Sequence, residues 1–231
     1  MISMTLLEKV IGSKDVGGTF DFITKAVIDF FKENEVQEWK DFYYGTEVDC
    51  ADSFDGYVED GASKVVLIPD NVSYVIKIPF YGECGWDEGE VYPYMGAVSP
   101  LIETDEPNNY CALESAIYLE AMNWGIEKFF VPTVYIGDVF GVPIYVQTRI
   151  KNVRHMTDKE NTFKYASIKG SDEFDSDVGA QLVEFYSLEE VETLLRFLKS
   201  YHINDVDNFR NGGYDPSYKR HVFWDYAGFN N

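Results

Sequence analysis

The chain has 231 residues, 45% of them hydrophobic, and carries 40 acidic against 19 basic residues for a formal net charge of −21. Its 17 Tyr, 17 Phe and 4 Trp argue against a disordered chain, and its length suits one large domain or two small lobes. The acidity argues against direct binding to a nucleic-acid backbone, which needs Lys and Arg to replace counterions.

The acidity reads first as solubility, and more sharply as a surface that mimics nucleic acid. Cys50, Cys84 and Cys111 have no metal-type spacing and read as reduced thiols. Met1–Leu7 has no basic stretch leading into a long apolar core, so it does not read as a signal peptide. No run of about twenty apolar residues offers a membrane span. A cytoplasmic protein without a membrane partner is expected.

Residues 1–18 form a short segment punctuated by Gly. From Thr19, which reads as a cap, Phe20, Ile23, Ala26, Val27, Phe30 and Phe31 recur at helical steps. A second short helix is expected over Val36–Tyr44. Residues 45–60 are acidic and irregular. Gly61-Ala62-Ser63 then turns into a strand ending at Pro69, Asp70-Asn71 turns again, and Val72–Phe80 is a second strand, so the pair reads as a hairpin. Lys77 stands out in that apolar strand; taken alone, it reads as a solvent-facing position.

Residues 81–108 are a long loop or insertion, of a kind that covers a site or binds a partner. Asn108 or Asn109 caps a helix through about Trp124, ended by Gly125, with Leu113, Ala116, Ile117 and Ala121 on its buried face and Glu114 and Glu120 as its acids. Two further strands, Phe129–Ile136 and Pro143–Thr148, flank a turn at Gly137–Gly141. With a strand near 45–60 or the Gly61 turn they complete a five-stranded antiparallel sheet. Residues 151–186 are mixed, and Ser171–Asp177 reads as an acidic loop.

Ser187 and Glu190 make a capping box for a helix with Val191, Leu194, Leu195, Leu198 and Tyr201 on one face. A polar loop through Asp205, a short turn at Asn211–Tyr214 and an apolar strand from His221 follow, with Asp225 at that strand's end. This layout can bring Asp205, Asn211 and Asp225 to one point, as hard oxygen ligands suited to Mg²⁺.

In this order the residues resemble the protein-kinase-like superfamily, in a minimal bacterial or phage-type form, over about residues 55–231. Val75-Ile76-Lys77-Ile78 resembles the Val-Ala-Ile-Lys of the kinase third strand. Asn109, Glu114 and Tyr118 have the spacing of the following helix in small relatives. His202-Ile203-Asn204-Asp205 stands where the catalytic loop would be, and Asp225-Tyr226-Ala227-Gly228-Phe229 resembles the Asp-Phe-Gly metal site.

The resemblance implies an α+β fold of two lobes joined near Gln147–Asn152. Residues 1–150 would hold the amino-terminal helices and a lobe with an antiparallel sheet and a helix; residues 151–231 would form an abridged, mostly helical lobe. It implies ATP and Mg²⁺ as cofactors and phosphotransfer to an unidentified protein or small-molecule acceptor. Gly61 and Ser63 would cover the phosphates, Lys77 would contact them and pair with Glu114, and Gln147 would lie in the hinge whose backbone binds adenine. Asp205 would orient or deprotonate the acceptor hydroxyl, Asn211 and Asp225 would hold the metal, and His202 would pack the loop.

Three features depart from the pattern. Only Gly61 remains of the Gly-x-Gly-x-x-Gly series. Arg210 stands five residues after Asp205, where Asn is expected, so Asn211 requires a one-residue insertion; Asn208 is the weaker choice, and Asp207 replaces Asp205 if the loop shifts. Six residues follow Asp225. The alternative functions are therefore a catalytically silent pseudokinase acting as a binding or regulatory module, and an acidic interaction protein mimicking nucleic acid.

Overall fold

Strands with one face in a core show alternating apolar side chains, and five strands of this chain meet in an antiparallel sheet whose spatial order is Gly56–Asp60, Lys64–Pro69, Tyr74–Pro79, Val142–Thr148, Thr133–Val139. The computed structural model describes residues 4–84, 90–93, 100–101, 109–151, 167, 176–203, 206 and 211–227. The sheet strands are β1 (Gly56–Asp60), β2 (Lys64–Pro69), β3 (Tyr74–Pro79), β6 (Thr133–Val139) and β7 (Val142–Thr148); β4 (Gly82–Cys84) and β5 (Val91–Pro93) pair separately. The α+β class and the five-stranded sheet agree with expectation, and β1 supplies the strand sought near 45–60.

The chain divides into two compact units. The first comprises Met1–Gly96, Thr104–Ser115 and Pro132–Arg149, and the second comprises Ala97–Glu103, Ala116–Val131 and Ile150–Asn231.

In the first unit, Val65, Leu67, Ile76, Ile78, Val134, Ile144 and Val146 share a core with residues of α1 (Met4–Ile11) and α2 (Val16–Glu33). Phe30 and Phe31 of α2 are fully buried there, each contributing about 1.5–3 kcal/mol. The pattern alone starts the first helix at Thr19. The structure instead adds α1 and starts α2 after Asp15, whose carboxylate accepts the Gly18 N–H at 3.0 Å. Gly17 and Gly18 lie in that first turn; their helix cost of about 1 kcal/mol each is outweighed by the apolar face that follows. The helix expected over Val36–Tyr44 is a single 3₁₀ turn, Trp39–Asp41, pinned by the Asp41 carboxylate on the Glu38 N–H at 2.9 Å.

Because side chains alternate along a strand, the opposite sheet face carries Lys64, Val66, Val75, Lys77, Tyr145, Gln147 and Thr133. The register confirms this: Val66 faces Lys77, Lys77 faces Tyr145, and Thr133 faces Gln147. The helix α3 (Tyr110–Trp124) begins against this face. Asn109 is its cap, accepting the Ala112 N–H at 3.0 Å and donating to the Tyr145 hydroxyl at 2.8 Å.

The second unit contains α4 (Ser176–Phe185), α5 (Leu188–Ser200) and the hairpin of β8 (Gly212–Asp215) and β9 (Arg220–Phe223). The capping box at Ser187 and Glu190 is present, and Val191, Leu194, Leu195 and Leu198 are buried as expected. Of the expected acidic loop, Ser176 and Asp177 instead open α4; its first five residues lie outside the described set. The segment Asn211–Tyr214, read as a turn, mostly forms β8. The turn lies further on, where buried Asp215 accepts the N–H groups of Ser217 at 2.7 Å and Tyr218 at 3.2 Å. Phe130, Phe197, Phe223 and Tyr226 form an aromatic core. No disulfide joins the three cysteines, and among the described residues no helix is long and apolar enough to cross a membrane.

Candidate functional site

An ammonium group buried in a sheet face needs an anionic partner, and this face buries two. Lys64 is 6% exposed and Lys77 3%, and both reach the carboxylate of Glu114, which is fully buried. Lys64 Nζ lies 3.0 Å from Oε1 and Lys77 Nζ lies 2.6 Å from Oε2. Thr133 Oγ1 is a further 2.8 Å neighbour of Oε2, and Gln147 Nε2 donates to that hydroxyl at 2.8 Å. The carboxylate thus accepts three hydrogen bonds, two of them from cations, which fixes both its plane and the positions of the ammonium groups.

The pairing of Lys77 with Glu114 matches the resemblance and corrects the reading of Lys77 as a solvent-facing position. Lys64, the basic residue of the Ser63-Lys64-Val65 stretch that resembles the turn of small kinase-like proteins, has no assigned role in the sequence reading. Once Val66 is known to face Lys77, alternation puts Lys64 on the same side of the sheet, but the sequence does not carry that register. The Gln147 side chain is turned onto the cluster, 3% exposed. In the Gly61 turn, the Gly61 N–H donates to the Lys64 carbonyl at 2.9 Å, so it is used within the turn. Ser63 is half-buried beside it, its carbonyl accepting the Phe80 N–H at 3.0 Å.

In the second unit, the Asn211 carbonyl accepts the N–H of Trp224 at 3.0 Å and of Asp225 at 3.4 Å. The hairpin therefore brings Asn211 and Asp225 side by side, the first buried and the second half-buried. Their donor set, one amide and one carboxylate, fits Mg²⁺, which is held by one or two carboxylates plus water and substrate oxygens. Among the described residues no group of three or more His, Cys, Asp or Glu is placed to hold a metal ion. Asp205 lies outside the described residues, as do Asp207, Asn208 and Arg210.

Helix α5 ends with His202 in the left-handed region, φ 55°, while the Ile203 N–H returns to the Leu198 carbonyl at 2.9 Å. This is a helix-ending turn of the Schellman kind, so His202 serves as a stop in the backbone. Tyr201, just before it, donates its hydroxyl to Glu120 Oε1 at 2.6 Å; Trp124 and Asn123 also donate to this carboxylate, at 3.2 and 2.7 Å. The Tyr201 bond is the main reason the Glu120 carboxyl titrates below its ordinary range. Glu120 is therefore a tether within the second unit, and Glu114 is the acid that meets the lysines. Burial pushes Tyr118, between them, up to about 12.

Two residues that frame the hairpin carried little sequence signal. His221, fully buried, has Nδ1 3.2 Å from Gln181 Oε1, and the Tyr186 hydroxyl donates to the His221 carbonyl at 2.6 Å. Asp215 also accepts the Lys151 N–H at 3.1 Å, and only its Asp-Pro-Ser context hints at a turn. Comparison with protein-family models, curated proteins and solved structures gives no significant match.

Proposed function

We propose that the protein binds ATP with Mg²⁺ in a two-lobed, protein-kinase-like arrangement and transfers the γ-phosphoryl group to an unidentified protein or small-molecule acceptor. The observation that supports this most is the buried ion pair of Lys77, on a strand of an antiparallel sheet, with Glu114, on the helix that follows. Phosphoryl transfer asks the protein mainly for positioning and charge neutralisation. Lys77 would contact the phosphates, with Gly61 and Ser63 at the covering turn and Gln147 at the adenine end. Asn211 and Asp225 would hold Mg²⁺, which when bound neutralises phosphate charge. Asp205 would orient the acceptor hydroxyl and accept its proton.

A second reading, a catalytically silent module on the same fold, is favoured by the Gly61 N–H being used inside its own turn and by Arg210 at the expected Asn position. Incubation with γ-labelled ATP across an acceptor panel separates the two. Transfer or phosphate release that Asp205→Asn removes, with nucleotide binding retained, supports the enzyme. Binding without either supports the silent module, and absence of binding contradicts both.

A further inference from the structure

We propose that Thr133 is a positioning residue for Lys77, acting through Glu114 with a direction set by Gln147. The inference deepens the nucleotide reading and rests on it for its purpose, though the hydrogen-bond order has its own basis. A threonine hydroxyl has one proton to give. Thr133 Oγ1 lies 2.8 Å from Glu114 Oε2 and 2.8 Å from Gln147 Nε2. A carboxylate only accepts and an amide nitrogen only donates, so the proton goes to Glu114 and the Gln147 N–H fills the hydroxyl lone pair.

The spacing is built into the sheet. Thr133 and Gln147 are direct partners across β6 and β7, and the β-branched Thr has few rotamers. Glu114 arrives from a helix on a longer, more flexible side chain. Lys64 holds its Oε1, and Thr133 shares Oε2 with Lys77. Loss of the Thr133 hydroxyl leaves the carboxylate plane held by the two flexible lysine side chains alone, so it turns more readily about its terminal bond and the Lys77 ammonium moves with it. A glutamate at 147 would reverse the order, since its carboxylate would compete for the Thr133 proton.

The test is NMR of ¹⁵N-labelled lysine side chains, which reads the hydrogen exchange of the Lys77 ammonium directly; Lys77→Arg assigns the signal. Thr133→Val, close in shape but without the hydroxyl, is expected to speed that exchange about tenfold, as loss of a hydrogen bond to a charged group does. Thr133→Ser is expected to restore it. The dissociation constant for ATP with Mg²⁺ is expected to follow, rising about tenfold in Thr133→Val and returning in Thr133→Ser. If Thr133→Val does not fold, Thr133→Cys, with its weak donor, decides: exchange faster than in Thr133→Ser supports the proposal, and equal exchange overturns it. Unchanged exchange in folded Thr133→Val overturns it, as does ATP affinity indifferent to that substitution. If the wild-type protein binds no ATP while Lys77 exchange still follows Thr133, the positioning stands and the nucleotide reading falls.

Discussion

Lys77 Nζ lies 2.6 Å from Glu114 Oε2, and neither side chain is more than 4% exposed. Lys64 takes the other oxygen of the same carboxylate at 3.0 Å, so Glu114 is the common counter-charge of two buried cations. Removing one partner of a buried pair is far costlier than the pair's net worth, because the remaining charge stays desolvated. Glu114→Ala is expected to destabilise the folded protein by about 3–5 kcal/mol, read as a lower midpoint in urea denaturation. A loss under about 1 kcal/mol, the size of an exposed pair, would show that the cluster is not buried in solution.

The tie between Tyr201 and Glu120 predicts a pH dependence whose sign follows from the hydrogen bond. Glu120 titrates below its ordinary range, chiefly because Tyr201 donates to it. Its contribution to stability is therefore present above the unfolded-state value and is lost as pH falls through the lowered folded value. Tyr201 titrates above its ordinary range through the same bond; its contribution is present below the unfolded-state value and is lost as pH rises through the raised one. Tyr201→Phe is expected to move the Glu120 carboxyl back up towards its ordinary range, followed by the ¹³C shift of its side-chain carboxyl. An unmoved titration would mean that the bond does not form.

Gly212 is where the hairpin has no room for a side chain. A Cβ there would lie 2.6 Å from a ring carbon of Phe223 and 2.8 Å from His221 Nε2, both on the facing strand and both in fully buried side chains. Gly212→Ala is expected to cost about 1–3 kcal/mol by overpacking. It should also loosen the neighbouring contact between the Asn211 carbonyl and the Asp225 N–H, and so weaken Mg²⁺-dependent nucleotide binding. Thermal melting with and without ligand checks both effects. Full stability together with full binding in this variant would contradict the hairpin geometry.

Individual residues mark what was legible in the sequence. Lys77 stood out because charge is rare in an apolar strand, and Glu114 because it follows on a helix with recognisable cap and spacing. Lys64 and Thr133 were hidden, since their roles depend on which residues face each other across β2, β3, β6 and β7, a tertiary property. Helix α1 and the true start of α2 were masked by Gly12, which follows α1 in the left-handed region at φ 66°, and by Gly17 and Gly18, whose low helix propensity is outweighed by the packing of the apolar face of α2. The Gly pair at Gly212-Gly213 suggested a turn, but it lies in a strand, with Gly212 pressed against Phe223 and His221. Asp205, read from its place after His202, lies outside the described residues.

The most direct measurement of the central claim is the melting temperature with Mg²⁺ alone and with Mg²⁺ plus ATP. A ligand at a hundred times its dissociation constant, binding only the folded state, stabilises by about 2.7 kcal/mol, or about 5–10 °C in a chain of this length. The account predicts such a rise for the wild-type protein, its near loss in Asp225→Asn, a smaller rise in Lys77→Ala, and a rise largely kept in Asp205→Asn. No shift at millimolar ATP, or an equal shift in Asp225→Asn and Lys77→Ala, would contradict it.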